Sequence, residues 1–162
     1  MRFILLLGSN VGNREQRLAE AVLSIADRIG RPDAISGIYQ TAPWGKTDQD
    51  PFLNQVVSGE CNLQPRQLLE SVLQIELSMG RVRTSKWAPR IIDIDILFFG
   101  KQVVSEPGLV IPHPMLHERR FTLQPLCDIF PEFRHPVYGK SMKELLDAVV
   151  DPLEVQLYHP TP

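Results

Sequence analysis

The sequence lacks the features of secreted proteins, of proteins that bind metal through clustered cysteines and histidines, and of membrane-spanning proteins. It has only two cysteines, Cys61 and Cys127, which lie far apart and in no CxxC or Cys/His spacing. We therefore predict free thiols in a reducing compartment rather than a disulfide. The first apolar run, residues 3–7, is too short for a signal peptide or a membrane span. These absences predict a cytoplasmic protein, or one processed in an organelle, with no membrane partner.

The chain also lacks a strong excess of charge of either sign. It carries 17 basic and 19 acidic residues, a net charge of −2, so nothing attracts it globally to nucleic acid. The basic residues are unevenly spread, because Arg81, Arg83, Lys86 and Arg90 fall within ten residues. A local basic cluster on a mildly acidic chain favours a small anionic ligand over a long polyanion.

Two common phosphate-binding loops are missing as well. Residues 45–47 (GKT) resemble the end of a Walker A loop, but that motif needs glycine at position 40, where Gln40 stands. Residues 8–12 follow a strand-like run without satisfying GxGxxG. Neither segment supports a nucleotide site of those two classes.

What is present predicts one domain over residues 1–162 with the element order β-α-β-β-α-β. The predicted strands are residues 3–7, 34–39, 52–62 and 92–98, and the predicted helices are residues 14–29 and 65–79, which end at Gly30 and Gly80. Asn13 with Gln16, and Ser141 with Glu144, are predicted capping boxes. The order is that of an α+β, ferredoxin-like fold, to which the residues after Gly100 add a hairpin and short helices.

Asp93 and Asp95 are the most informative residues of the chain. In a strand, alternation places both carboxylates on one face, about 6.5–7 Å apart, and the neighbouring isoleucines on the other. Aspartate is poorly suited to strands, and two carboxylates at this spacing repel each other unless a cation lies between them. Their oxygens suit Mg²⁺, which also takes phosphate oxygens as ligands. The alternative is a solvent-facing strand whose aspartates only aid solubility.

Several residues near the aspartates in sequence favour phosphate chemistry, although each also has a structural explanation. The arginines before the strand can bind phosphate oxygens in pairs, or can form an ordinary solvated loop. Glu76 lies at the edge of an apolar helix face and needs a partner, either an arginine or a nucleotide. His113, held between two prolines, is more often structural than a ligand contact. Aromatic residues in or beside loops could stack on a planar ring or fill the core: Trp44, Phe52, Trp87 and Phe121.

Taken together, these segments resemble the hydroxymethyldihydropterin pyrophosphokinase family. The segments that carry the resemblance are residues 8–10 (GSN), 39–45 (YQTAPWG), 52–54 (FLN), 80–83 (GRVR), 87–96 (WAPRIIDIDI) and 111–113 (IPH), followed by Arg119 and Phe121. They span most of the chain in the family's order, and the R-x-x-D-x-D strand after G-R-x-R is highly specific. The resemblance implies the ferredoxin-like fold and transfer of pyrophosphate from ATP to 6-hydroxymethyl-7,8-dihydropterin in folate biosynthesis, with release of AMP.

The resemblance also implies a role for each matching residue. Asp93 and Asp95 would hold two Mg²⁺ ions on the ATP phosphates. The catalytic residues would be these two aspartates with Arg81, Arg83 and Arg90. The ATP site would include Glu76, Arg83, Trp87, Arg90, Ile96, His113 and Arg119. Phe52 and Phe121 would enclose the pterin ring, and the other pterin-binding residues would be Gly8, Thr41, Ala42, Pro43, Trp44 and Asn54.

Two other functions remain open from the residues alone. A nucleic-acid-binding module on the same fold would need basic and aromatic residues across the sheet, where the aspartates would instead repel phosphate. A magnesium-dependent nucleotide hydrolase would form ADP or AMP without any pterin. We predict a monomer that acts on ATP and the pterin, with no nucleic-acid partner.

Overall fold

The computed structural model describes residues 1–42, 50–81 and 90–160 and contains eight strands and four α-helices in those ranges. The strands are β1 (Arg2–Ser9), β2 (Pro32–Ile35), β3 (Tyr39–Thr41), β4 (Phe52–Glu60), β5 (Asp93–Phe99), β6 (Val104–Glu106), β7 (Leu109–Ile111) and β8 (Val155–Leu157). The helices are α1 (Arg14–Arg28), α2 (Pro65–Ser78), α3 (Arg120–Ile129) and α4 (Met142–Ala148), and a 3-10 helix covers Leu116–Glu118.

The main sheet has the strand order β5-β1-β4-β3-β8, with β2 also paired to β4, and every pairing is antiparallel. This topology confirms the predicted α+β, ferredoxin-like core. The predicted hairpin is the β6–β7 pair. Strand β8 was not predicted, because its three residues become a strand only through pairing with the edge of β3.

The side chains of β1 alternate between the two faces of the sheet, and each face carries its own part of the hydrophobic core. Phe3, Leu5 and Leu7 pack against α1 and α2, whereas Ile4 and Leu6 pack against α3 and α4. All five side chains are at most 4% exposed, and fully burying such a side chain stabilises the fold by about 1.5–3 kcal/mol. The sheet is therefore covered by a helical layer on both sides.

The predicted strand over residues 34–39 is wrong as one continuous element, because it is broken between β2 and β3. Ser36 interrupts the ladder, since its hydroxyl accepts a hydrogen bond from the Val56 N–H at 2.9 Å. The next residue, Gly37, donates its N–H to the Asp128 carboxylate at 3.1 Å. Side chains thus take over backbone hydrogen bonds that a regular strand would make.

The predicted alternation of apolar residues along β5 is also wrong beyond Ile96. The register with β1 shifts at Leu97, so Phe98 and Ile96 lie on opposite faces of the sheet. The extra residue supplies a free carbonyl, and the Leu97 oxygen accepts a hydrogen bond from the His113 N–H at 3.0 Å. The bulge therefore fixes the segment that carries His113 against β5.

Most of the predicted helix ends are confirmed. Asn13 caps α1 by accepting from the Gln16 N–H at 3.1 Å, but the Gln16 side chain does not reach back and donates to Glu20 instead. Ser141 and Glu144 form the predicted reciprocal capping box.

Both cysteines are free thiols, as predicted. In the described ranges, every helix is too short or too polar to traverse a lipid bilayer.

Candidate active site

Strand register places the predicted site residues side by side on one face of the sheet. Gly8 of β1 is flanked by Asn54 on β4 and by Asp93 on β5. Residues that pair across antiparallel strands point to the same face, so the carboxamide and the carboxylate lie on either side of a residue without a side chain. Asp95 faces the same way two residues further on, beside Leu6.

The absence of a side chain at Gly8 is required by the packing on this face. A Cβ atom built there would lie 2.9 Å from Asn54 Oδ1 and 3.8 Å from the Phe52 ring. The first distance is shorter than real Cβ contacts, so any larger residue would displace the Asn54 carboxamide. Gly8 therefore keeps open the space between the predicted pterin-binding residues and the aspartates.

Asp93 is bonded to two of the predicted phosphate-binding arginines. Arg81 Nη1 donates to Asp93 Oδ1 at 2.7 Å, and Arg90 Nη1 donates to Asp93 Oδ2 at 2.7 Å. Arg81 Nη1 also donates to Glu76 Oε2. The arginines and carboxylates that the sequence suggested as one constellation thus form one charge network.

The end of α2 delivers Arg81 to this network. Gly80 has a φ of 88°, its N–H donates to the Leu77 carbonyl, and the Arg81 N–H donates to the Glu76 carbonyl. This pair of bonds is a Schellman motif, which glycine permits because positive φ carries no Cβ penalty. The turn brings the Arg81 guanidinium back to the Glu76 side chain.

Glu76 is more deeply buried than its position at the helix edge suggested, with only 3% of the residue exposed. Its Oε1 accepts from the Ile94 N–H at 3.0 Å, so the side chain joins α2 to the outer edge of β5. Burial raises the pKa of Glu76, and the bonds from Ile94 and Arg81 oppose that rise. Of the two partners considered for Glu76, the structure shows an arginine, Arg81. Direct contact between Glu76 and a nucleotide remains a prediction.

Asp95 lies in an environment that disfavours its charged form. Burial, followed by the charge of Asp93, raises the pKa of Asp95 to about 7, while Arg119 opposes the rise. The charges of Glu76 and Asp93 both raise the pKa of Asp95. Asp93 accepts hydrogen bonds from two arginines, whereas Arg119 and Arg90 oppose the rise at Asp95 through their charge. A cation at Asp95 would relieve this repulsion.

His113 faces the same charges and is held neutral. Burial, followed by the charge of Arg119, lowers the pKa of His113 to about 4. Its Nδ1 accepts from the Met115 N–H at 3.1 Å, so the remaining proton lies on Nε2. His113 can therefore donate one hydrogen bond from Nε2 at neutral pH.

The aromatic residues predicted to enclose the pterin come from different elements. Phe52 begins β4 opposite Thr41 of β3, and Phe121 lies in the first turn of α3 with the Arg119 guanidinium 5.6 Å from its ring centroid. The Thr41 hydroxyl is buried with no hydrogen-bond partner among the described residues. A polar atom without a partner beside Phe52 is consistent with a binding role for this end of the sheet.

Some predicted site residues are placed differently or lie outside the described ranges. The Ile96 side chain packs in the core against α1 and α2, on the face opposite the aspartates, so any contact with ATP would use its backbone. Ala42 is exposed at the end of β3. The predictions for Pro43, Trp44, Arg83 and Trp87 concern positions outside the described residues.

Asn10 lies beside the candidate site, and the sequence predicted no role for it. It is 2% exposed, its Oδ1 accepts from the Arg90 N–H at 2.8 Å, and its own N–H donates to the Arg90 carbonyl at 3.1 Å. Its Nδ2 also donates to the Asp50 carbonyl at 3.4 Å. The sequence offered one indication of such a role, because Asn10 stands two residues after Gly8, which ends an apolar run. Its partner, Arg90, could not be predicted because it is 80 residues away.

The donor set fits Mg²⁺ better than a metal that requires a cage of protein ligands. Within residues 1–42, 50–81 and 90–160, no group of three or more His, Cys, Asp or Glu side chains is arranged to hold a metal ion. Mg²⁺ is commonly bound through one or two carboxylates, with water and substrate phosphates completing its shell. Asp93 and Asp95 provide such a pair.

Comparison with known proteins decides the family. The chain matches the family described as 7,8-dihydro-6-hydroxymethylpterin-pyrophosphokinase (HPPK) over residues 4–131. The chain belongs to this family. A 2-amino-4-hydroxy-6-hydroxymethyldihydropteridine pyrophosphokinase from Methylorubrum extorquens is 44% identical over 93% of this chain and 94% of its own length. The Pseudomonas aeruginosa protein of the same name is 40% identical over 91% of both chains.

Solved structures agree on the fold of this chain. A Plasmodium falciparum HPPK-DHPS chain superposes with a TM-score of 0.73 at 19% identity, over 90% of this chain and 44% of that chain. The present chain therefore spans less than half of that longer protein. At this identity the likeness supports the ferredoxin-like fold alone.

Proposed function

We propose that the sheet face bearing Asp93 and Asp95 is where this chain transfers a pyrophosphoryl group from ATP to the hydroxymethyl group of 6-hydroxymethyl-7,8-dihydropterin. The family is named for this enzymatic reaction, a step of folate biosynthesis. The observation that carries the site assignment is the network of Arg81, Asp93 and Arg90 beside Asp95, on the same face as Asn54. This network places two cations that could bind phosphate, and a pair of carboxylates, next to the residues predicted to bind the pterin.

The arginines would exchange one anionic partner for another when ATP binds. In the free protein, Arg81 and Arg90 donate to both oxygens of Asp93. Phosphate oxygens would attract the same guanidinium groups, and Asp93 would then be available to a metal ion. Asp93 and Asp95 would hold Mg²⁺, two ions in our proposal, and the bound metal would neutralise charge on the phosphate oxygens.

The nucleoside part of ATP would lie along the outer edge of β5. The Ile94 N–H points outward to Glu76, and alternation directs the backbone of Ile96 to the same edge. His113 is tied to that edge through Leu97 and carries its proton on Nε2. We propose that this N–H and Arg119 contact ATP, with Glu76 holding the edge in place.

Phe52 and Phe121 would bind opposite faces of the pterin ring, and Asn54 would hydrogen-bond its polar edge. Such an arrangement directs the hydroxymethyl group past Gly8 towards the aspartates, because Gly8 separates Asn54 from Asp93. Stacking fixes the plane of the ring, and the carboxamide fixes its rotation in that plane.

In the reaction, the hydroxymethyl oxygen forms a bond to the β-phosphorus while the bond from that phosphorus to the α–β bridging oxygen breaks. AMP leaves with the bridging oxygen, and the hydroxyl proton is lost to solvent. The chain contributes mainly by positioning the two substrates and stabilising charge, as in other phosphoryl transfers. No described side chain is assigned as a general base.

Analysis of the nucleotide products tests this proposal. With ATP, Mg²⁺ and the pterin, we expect AMP to form, and with the pterin omitted we expect almost none. ADP as the product, or AMP formed at the same rate without pterin, would instead support the nucleotide hydrolase.

The raised pKa of Asp95 predicts that metal binding depends on pH. Below its pKa of about 7, Asp95 is increasingly protonated, and a proton must be released before a cation can bind. We expect the affinity for Mg²⁺, in the presence of a non-hydrolysable ATP analogue, to fall by up to about tenfold per pH unit below pH 7 and to level off above pH 8. Titration calorimetry in two buffers of different ionisation enthalpy measures the released proton, and a pH-independent affinity would contradict the assignment.

Phe121→Ala is predicted to weaken pterin binding far more than ATP binding. Removing one aromatic wall costs about 1–3 kcal/mol of stacking, which corresponds to about fivefold to 150-fold in affinity. Separate KM values for the two substrates provide the measurement, with Phe130→Ala, a change at the other end of α3, as the control. Equal increases in both KM values would argue against a stacking role.

We also propose a cytoplasmic monomer that acts on small molecules and binds neither nucleic acid nor membranes. The free cysteines and the balanced charge support this proposal. The monomeric state and the single domain over residues 1–162 remain predictions, which sedimentation and limited proteolysis would check.

A further inference from the structure

We infer that residues 149–158, called here the C-terminal segment, set the separation of the two aromatic walls of the pterin site. This inference rests on the proposed roles of Phe52 and Phe121. The match to the HPPK family ends at residue 131, so the C-terminal segment lies beyond it. The segment nevertheless contacts the supports of both walls.

The first contact is at the start of α3, one residue before Phe121. This helix has no side-chain cap of its own at Arg119, so its first N–H groups need other acceptors. Asp151 supplies one, because its Oδ2 accepts from the Arg120 N–H at 3.0 Å. Asp151 is 8% exposed, and its Oδ1 accepts from the Leu153 N–H at 3.0 Å, which fixes the carboxylate in this orientation.

The second contact is along β3, opposite the Phe52 end of β4. Val155 of β8 pairs with Thr41, and Thr41 pairs in turn with Phe52. The Tyr158 N–H donates to the Ile38 carbonyl at 2.8 Å and extends this attachment beyond β8. The C-terminal segment thus forms the outer edge of the sheet beside the first wall.

The third contact reaches the residue immediately before Phe52. The Tyr158 hydroxyl donates to Glu15 Oε1 at 2.7 Å, and the Arg14 guanidinium lies 5.9 Å from the centroid of the Tyr158 ring. Arg14 Nη1 donates to the Pro51 carbonyl at 2.7 Å. Tyr158 therefore orients an arginine that holds the backbone at the entry to β4.

One stretch of ten residues thus fixes α3 at one end and the start of β4 at the other. Movement at either attachment would change the distance between the rings of Phe52 and Phe121 before it disturbed the aspartates. The geometry points to a positioning role that acts on pterin binding more than on ATP binding, because only the attachment at Arg120 also adjoins Arg119.

Substitutions at the two ends of the C-terminal segment test the inference. We expect Asp151→Ala and Tyr158→Ala each to raise the KM for pterin about fivefold, the size expected for loss of one cap or hydrogen bond, with less than about twofold change in the KM for ATP. Asp151→Asn and Tyr158→Phe keep part of each contact and should raise the pterin KM by only about twofold, an intermediate effect. Val150→Ala is the matched control, because Val150 belongs to the same segment and is 97% exposed.

The outcomes separate this inference from the proposed function. If the unsubstituted protein forms no pterin-dependent AMP, the proposed function is wrong and the inference with it. If that protein is active but the variants leave the pterin KM unchanged, or raise both KM values equally, only the inference is overturned. If an alanine variant fails to fold, Asp151→Asn and Tyr158→Phe test the inference in its place. A pterin KM identical to that of the unsubstituted protein in both variants would overturn the inference.

Discussion

Asp95→Ala is expected to lower pterin-dependent AMP formation by about a thousandfold or more while leaving the protein folded. The expected loss corresponds to about 4 kcal/mol, the order of charge stabilisation that a metal on the phosphate oxygens supplies. Asp95 shares its sheet face with Asp93, and the charge of Arg119 acts on it, so its loss would leave Asp93 as the remaining proposed metal ligand of the pair. The rate of AMP formation at saturating substrates measures the effect.

The fold should tolerate this substitution because the Asp95 carboxylate is a source of repulsion. Its pKa is raised in the folded protein, so the folded state binds a proton more tightly than the unfolded state does. Stability from this group is then present at low pH and is lost as the pH rises through about 7. Asp95→Asn, which keeps the shape, should therefore gain melting temperature relative to the unsubstituted protein as the pH rises from 6 to 8.

Asp147→Ala provides a matched control for Asp95→Ala. Asp147 is exposed on α4 and pairs only loosely with Lys143, at 3.3 Å, so its loss should change neither rate nor stability appreciably. Full activity in Asp95→Ala would remove the metal assignment, and an unfolded Asp95→Ala protein at pH 8 would contradict the repulsion argument.

Arg81→Ala is expected to lower both activity and stability. Arg81 is the only described cation bonded to both Glu76 and Asp93, and its side chain is 10% exposed. Removing one member of a buried ion pair costs about 3–5 kcal/mol. We expect a loss near the lower limit, because the raised pKa of Glu76 allows this carboxyl to take up a proton, and for the same reason the loss should be smaller at pH 5.5 than at pH 8.

A double substitution separates the two effects of Arg81. Arg81→Ala with Glu76→Gln should recover part of the free energy of unfolding, because the buried charge is removed. It should not recover activity, because the guanidinium group that we propose binds phosphate is still absent. The control is Arg66→Ala, which breaks an exposed pair with Glu106 and should cost about 1 kcal/mol or less. Urea denaturation and AMP formation supply the measurements. Recovery of activity in the double variant would show that Arg81 acts only through the fold.

Local patterns in the sequence were sufficient to predict the core elements and the placement of several residues of the candidate site. The turn at Gly80 and the face shared by Asp93 and Asp95 follow from residue spacing alone, and the structure has both. The sequence also suggested that the basic residues before the strand act together with the aspartates, and the bond between Arg81 and Asp93 agrees with this expectation.

The features that could not be predicted depend on partners far away in the chain. The break at Ser36 needs the Val56 N–H, and nothing local distinguishes Ser36 from a regular strand residue. The bulge at Leu97 falls in a uniformly apolar run, residues 96–99, where either face could accept each side chain. The bonds from Asn10 to Arg90 join segments 80 residues apart. Such contacts appear only once the sheet has assembled.

The fate of the three ATP phosphates tests the central claim most directly. Phosphorus NMR of a completed reaction with ATP, Mg²⁺ and the pterin should show AMP together with two coupled phosphorus signals from a pyrophosphate ester of the pterin. This result requires attack at the β-phosphorus and transfer of two phosphates as one unit. ADP with a single phosphate on the pterin, or AMP with free pyrophosphate and unmodified pterin, would contradict the account.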